Sequence, residues 1–131
     1  MTLRSVVNVE GVSRPGAAFS TAIATTPGRL LFVSGLLARD ANGAIVGVND
    51  IGAQTRRICE TLRSIVAAAG GSLESIVRLD IFVTDLRERD RIYAIRKEFF
   101  PSSPPTSTMM QVVGFVEPAA MIEITAIGIL P

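Results

Sequence analysis

The chain contains no histidine, which removes the Ser-His-Asp triad, the Cys-His pair, zincin-type sites and every imidazole acid–base pair from its chemistry. It has one cysteine, Cys59, so no intramolecular disulfide can form, as is usual in a reducing compartment. Aromatic residues make up 5%, too few for the stacking platforms that single-stranded nucleic acid needs. Thirteen basic and twelve acidic residues leave a net charge of +1, with neither a basic field for nucleic acid nor an acidic one for cations. No apolar run reaches the roughly 20 residues of a membrane span. The start, Met1-Thr2-Leu3-Arg4-Ser5, lacks the apolar stretch of roughly 7–15 residues of a secretory signal. These absences predict a cytoplasmic protein with no nucleic-acid or membrane partner. The sequence carries no metal-ligand cluster, phosphate loop or dinucleotide fingerprint, so neither metal nor cofactor is expected.

Apolar residues are abundant. They make up 48%, and about 56% when glycine is counted and tyrosine is not, against about 45–50% in soluble domains. A subunit interface is the simplest destination for the surplus. At 131 residues the chain suits a single domain, 1–131.

The first half reads as strands. Ala18 to Ala24 runs to the turn pair Pro27-Gly28, and Leu30 to Ser34 returns. Asn42-Gly43, between Leu36-Leu37-Ala38 and Ile45-Val46, signals a two-residue hairpin. A helix from about Ile51 to Ala69 is capped by Asp50 and stopped by Gly70-Gly71. Ile51, Ile58, Leu62, Ile65, Val66 and Ala69 form its apolar stripe. Ser75 to Val83 is a strand with Val77, Leu79, Ile81 and Val83 on one face and Arg78, Asp80 and Phe82 on the other. A second helix begins at Asp85, with Glu88 completing a capping box, and turns Ile92, Ile95 and Phe99 inward. Pro101 ends it, and the Pro-rich stretch to Pro105 is a stiff loop. Strands at about Thr106 to Val113 and Ala119 to Leu130 finish the chain. Each helix has one apolar stripe to bury, so both pack on one face of a mixed sheet, an α+β arrangement.

Several segments then resemble a known family. Phe19-Ser20-Thr21-Ala22, Leu31-Phe32-Val33-Ser34-Gly35, Gln54, Val77 through Asp85, Tyr93 with Phe99-Phe100, Pro105-Thr106-Ser107-Thr108 and Ile122 through Ile127 follow the order of the RidA (YjgF) family, over residues 14–130. The resemblance implies a chorismate-mutase-like fold: a mixed six-stranded sheet with two helices on one face, assembled as a trimeric barrel. Its homotrimers bind small molecules in clefts between neighbours and hydrolyse reactive enamines and imines to ketoacids and ammonia. Thr106 falls where the family carries its carboxylate-gripping arginine, and a hydroxyl replaces a charge-assisted fork. Thr108 stands two residues on, where cysteine is common. Phe19 replaces a tyrosine, Leu36 a glutamine, and Glu123 keeps the acid of the last strand.

Each candidate has two readings. Glu123 can orient water or take a proton, or be a carboxylate satisfied by backbone amides at a subunit seam. Thr106 and Thr108 share one strand face and can line a pocket, or be ordinary β-branched strand residues. Ser34 and Gly35 can present backbone amides to a ligand, glycine allowing close approach, or form a strand end or bulge. Phe19 packs as an aromatic wall, and Arg14 can replace the missing guanidinium or simply solvate a surface. Cys59 reads as packing, Tyr93 and Phe99-Phe100 as core or interface, and Arg87 to Arg91 as a solvated face. The function expected is an enamine- or imine-processing hydrolase acting on a substrate other than 2-aminoacrylate, with Glu123 as its catalytic residue. The alternatives are a non-catalytic binding or sensing trimer and, against the charge balance, a ribonuclease.

Overall fold

A computed structural model describes residues 4–12 and 18–131. Eight elements follow in chain order: β1 (Arg4–Val7), β2 (Ala22–Thr25), β3 (Arg29–Leu36), α1 (Ile51–Ala68), β4 (Ile76–Val83), α2 (Arg89–Phe99), β5 (Thr106–Gln111) and β6 (Ile122–Leu130). The six strands divide into a two-stranded sheet, β1-β2, and a four-stranded mixed sheet in the order β3-β6-β4-β5. Pro27-Gly28 therefore carries the chain from one sheet into the other, since β2 pairs with β1 and β3 with β6. The crossover through α2 makes β5 parallel to β4, while β6 runs antiparallel to both β4 and β3.

Both helices lie on one face of this sheet. Ile58, Leu62 and Val66 of α1 and Ile92 of α2 are buried against Leu79, Ile81 and Val83 of β4 and Ile122, Ile124 and Ala126 of β6. Alternation then turns Arg78, Asp80, Phe82, Glu123, Thr125 and Ile127 to the open face. Ile76 takes the buried place expected of Val77, because a register shift between Ile76 and Arg78 bulges β4 at Val77.

The caps explain where α1 starts and stops. Asp50 accepts a bond from the Ala53 amide at 3.0 Å, and Gly70 takes φ +94°, the left-handed region where a Cβ is costly. The second helix starts later than expected: Asp85 caps a 3₁₀ turn, Leu86–Glu88, by accepting from the Arg87 amide, and α2 proper begins at Arg89. The Asn42-Gly43 turn is longer than two residues. Asp40 Oδ1 accepts from the amides of Asn42 and Ala44, and the Asp40 amide donates to the Ala44 carbonyl. Gly43 takes φ +86°, so the turn has three central residues with a left-handed glycine.

Candidate functional site

Apart from Arg14, the expected site residues fall into two groups. In the first, the backbone joins the segment before β2 to the loop before β5. The Ser20 amide donates to the Pro105 carbonyl at 3.1 Å, and the Ser20 hydroxyl donates to the Pro104 carbonyl. Half-buried Phe19 is thereby tied close to Thr106. Thr106 lies opposite Arg78, and its hydroxyl donates to the Val77 carbonyl at 2.6 Å, an acceptor exposed by the bulge in β4. Thr108 lies opposite Asp80. Arg78 Nη2 donates both to Thr108 Oγ1 at 2.6 Å and to Asp80 Oδ1 at 2.7 Å.

The second group is built on a bulge. Val33 pairs with Ala126 and Leu36 with Ile124, so β3 carries one extra residue at Ser34-Gly35. A Cβ on Gly35 would sit 2.6 Å from the Glu123 carboxyl carbon and 2.8 and 2.9 Å from its oxygens. Glycine is what lets the carboxylate lie over this strand. Among the described residues, half-buried Glu123 has no ion pair or hydrogen bond.

Glu123 pairs with Phe82 and Thr106 with Arg78, four residues apart along β4, which is about 13 Å at the usual strand rise. Thr108 stands two residues nearer to Glu123, and Arg78 leans along the strand toward it. One chain brings together Ser34, Gly35 and Glu123, and separately Phe19, Thr106 and Thr108. Arg14 lies outside the described residues.

Sequence reasoning missed Arg78 and Asp80 as site neighbours, since the parallel register that sets Thr108 beside them has no local signal. It also missed the role of Gln54. This side chain is fully buried and donates to the carbonyls of Gly47 and Ala119 at 3.2 and 2.9 Å, while accepting from the Met121 amide at 2.8 Å. It ties α1 to the segment that leads into Glu123.

Beneath the sheet, Arg96 is 1% exposed. Its Nη1 donates to Ser107 Oγ at 3.3 Å, while Nε and Nη2 are buried without partners among the described residues. Burial pulls its pKa down. Cys59 is buried, and burial pushes its thiol up to about 12 against the opposing pull of Arg96, Arg56 and Arg63. A thiol held protonated is a packing group rather than a nucleophile. The Phe99 ring lies under the guanidinium groups of Arg56 and Arg63, 6.0 and 5.2 Å from its centroid, and Arg96 stands 5.9 Å from the Tyr93 ring. Among the described residues, no cluster of carboxylates and thiols could hold a metal ion, and no helix is long and apolar enough to cross a membrane.

Two helices packed on one face of a mixed sheet form the α+β architecture of the YjgF/Rid proteins, though here the six strands are split between a four-stranded and a two-stranded sheet rather than joined in one. The chain belongs to that family: the endoribonuclease L-PSP family model matches residues 12–130. It is 36% identical over 125 residues to the 3-aminoacrylate deaminase RutC of Acinetobacter baylyi, covering 95% of this chain and 97% of that one. The crystal structure of YyfB, a conserved Rid family protein of unknown function from Yersinia pestis, superposes with a TM-score of 0.89 at 30% identity, covering 97% and 98% of the two chains. E. coli TdcF with bound serine superposes with a TM-score of 0.70 at 28% identity, over 80% and 93%.

Proposed function

We propose that this chain hydrolyses reactive imines or enamines to carbonyl compounds and ammonia, in a cleft formed where the open sheet faces of neighbouring copies meet in a trimer. The substrate is one other than 2-aminoacrylate. Support for the chemistry comes from the deaminase name of the RutC relative. Support for assembly comes from the open face, where Leu30, Phe32 and Met110 are 61%, 70% and 50% exposed, an apolar surface that a second copy would cover. A single, buried cysteine fits a cytoplasmic location.

The observation that carries the reading is Glu123, a half-buried carboxylate free of protein partners among the described residues, beside Gly35, whose missing Cβ leaves it room. On an imine, water oxygen bonds to the C=N carbon while the π pair moves to nitrogen, and Glu123 accepts a proton from the water and passes it to that nitrogen. The carbinolamine then collapses: Glu123 takes the hydroxyl proton and passes it to nitrogen, the C–N bond breaks, ammonia leaves and the carbonyl forms. The Thr108 hydroxyl of a neighbouring copy and the backbone at Ser34-Gly35 steady the departing nitrogen. Such hydrolysis is already fast in water, so modest assistance suffices.

A second reading, binding or sensing without turnover, is favoured by the commitment of the Thr106 hydroxyl to a backbone carbonyl. Ribonuclease activity, which the family's name carries, would have to proceed without histidine and from a net charge of +1. The deciding experiment generates a panel of imines in place with amino-acid and amine oxidases and follows carbonyl release. The wild-type chain accelerates release, and Glu123→Gln lowers that acceleration about tenfold to a hundredfold, the range for one positioned proton-transfer group at its lower end. No acceleration anywhere in the panel leaves binding without turnover.

A further inference from the structure

We infer that the open face selects a substrate whose reacting nitrogen is cationic and which carries no carboxylate. This rests on the open face being the site proposed above, and it names the substrate class. Among the described residues, the charged side chains that β3, β6, β4 and β5 turn to this face are Arg78, Asp80 and Glu123.

Arg78 is the natural candidate to grip a carboxylate, and its geometry forbids the grip. A guanidinium holds a carboxylate through two parallel N–H donors on one edge. Both available edges, Nε with Nη2 and Nη1 with Nη2, run through Nη2. That atom already donates to Asp80 at 2.7 Å and to Thr108 at 2.6 Å, so its two hydrogens are spent. The donors left on Nε and Nη1 point apart and can make single bonds only. Thr106, on the same face, has its hydroxyl hydrogen on the Val77 carbonyl. Among the described residues of this sheet face, no two-donor cation remains for an anionic group.

The uncommitted charge is negative. Arg78 and Asp80 form an ion pair, which leaves Glu123 as the unbalanced group on the face. A ligand that pairs with it must present hydrogens on a positive nitrogen, as a protonated imine or amidine does, and a carboxylate beside that nitrogen would face Asp80 and Glu123 with no fork to meet it. Hydrolysis of such a substrate balances as R₂C=NH₂⁺ with water giving R₂C=O and ammonium.

Benzamidinium and benzoate, nearly equal in shape and opposite in charge, test this by calorimetric titration against the wild-type chain, Glu123→Gln and Asp80→Asn. Benzamidinium is expected to bind at least about tenfold more tightly than benzoate, the scale of one charge-assisted bond. Glu123→Gln should abolish that preference, and Asp80→Asn, by releasing an Nη2 hydrogen of Arg78, should strengthen benzoate binding. Equal or tighter binding of benzoate to the wild type overturns the inference, as does a preference indifferent to Glu123→Gln, or the failure of both probes to bind at millimolar concentration. A substrate pair adds the second arm: benzaldimine against 2-imino-2-phenylacetate, which differ by the carboxylate. Faster assistance to the carboxylate-bearing imine sinks the inference while the hydrolase reading stands. If neither imine is assisted but the Glu123-dependent benzamidinium preference holds, the hydrolase reading fails and the selection stands as one for a cationic, carboxylate-free ligand that is not turned over.

Discussion

The two faces of the four-stranded sheet settle their polar atoms in opposite ways. On the helix-covered face the apolar residues close a core, and Gln54 is buried with its carboxamide matched to two carbonyls and an amide. Arg96 is the exception there, a guanidinium taken out of water with two nitrogens unmet among the described residues. On the open face large apolar side chains stand in solvent, and Arg78, Asp80 and Thr108 satisfy one another. Glu123 is left over. One face closes the core, and the other leaves large apolar side chains exposed and one carboxylate unmet among the described residues.

The sharpest way to break this contrast is Gln54→Leu. It leaves the Ala119 carbonyl and the Met121 amide without their partner, while the Gly47 carbonyl keeps the Asp50 amide, and each orphaned group costs about 1–3 kcal/mol. Urea unfolding should show a loss of about 3 kcal/mol or more, and a loss below about 1 kcal/mol would mean water replaces the side chain freely. Arg96→Met works in the other direction. It removes a buried charge whose unmet donors are costly and keeps most of the volume, so stability should rise by about 1–3 kcal/mol. A fall in the urea midpoint would show that the guanidinium contributes more by packing over Tyr93 than its desolvation costs.

The third effect is on pH. The Cys59 thiol has its folded pKa raised from 9.0 to about 12, so its contribution is fully present below pH 9 and is lost as the pH rises toward 12, where the unfolded chain releases a proton that the folded chain keeps. Unfolding midpoints measured from pH 8 to 11 should fall less steeply in Cys59→Ala than in the wild type. Identical slopes would contradict the burial of that thiol.

Much of this layout was legible in the sequence. The stripe Ile51, Ile58, Leu62, Val66 placed α1, and alternation through Leu79, Ile81 and Val83 told the covered face from the open one. Asp50 and Gly70 marked the helix ends. The bulges at Val77 and at Ser34-Gly35 were not legible as such, because an extra residue is defined only against its partner strand. Arg96 did leave a signal: it lies four residues after Ile92 on the same helical stripe, a position that periodicity assigns to the core and residue type assigns to water. Periodicity won. The approach of Arg78 to Thr108 could not be read, since the parallel register follows from how α2 crosses the sheet.

The proposed activity requires that the open face work only when another copy covers it. Phe32→Asp tests this directly, because Phe32 is 70% exposed in the single chain and an aspartate there costs the isolated fold little. Sedimentation and imine hydrolysis measured on the same sample should show a folded monomer that no longer assists hydrolysis. A folded Phe32→Asp monomer with wild-type hydrolysis would contradict the account.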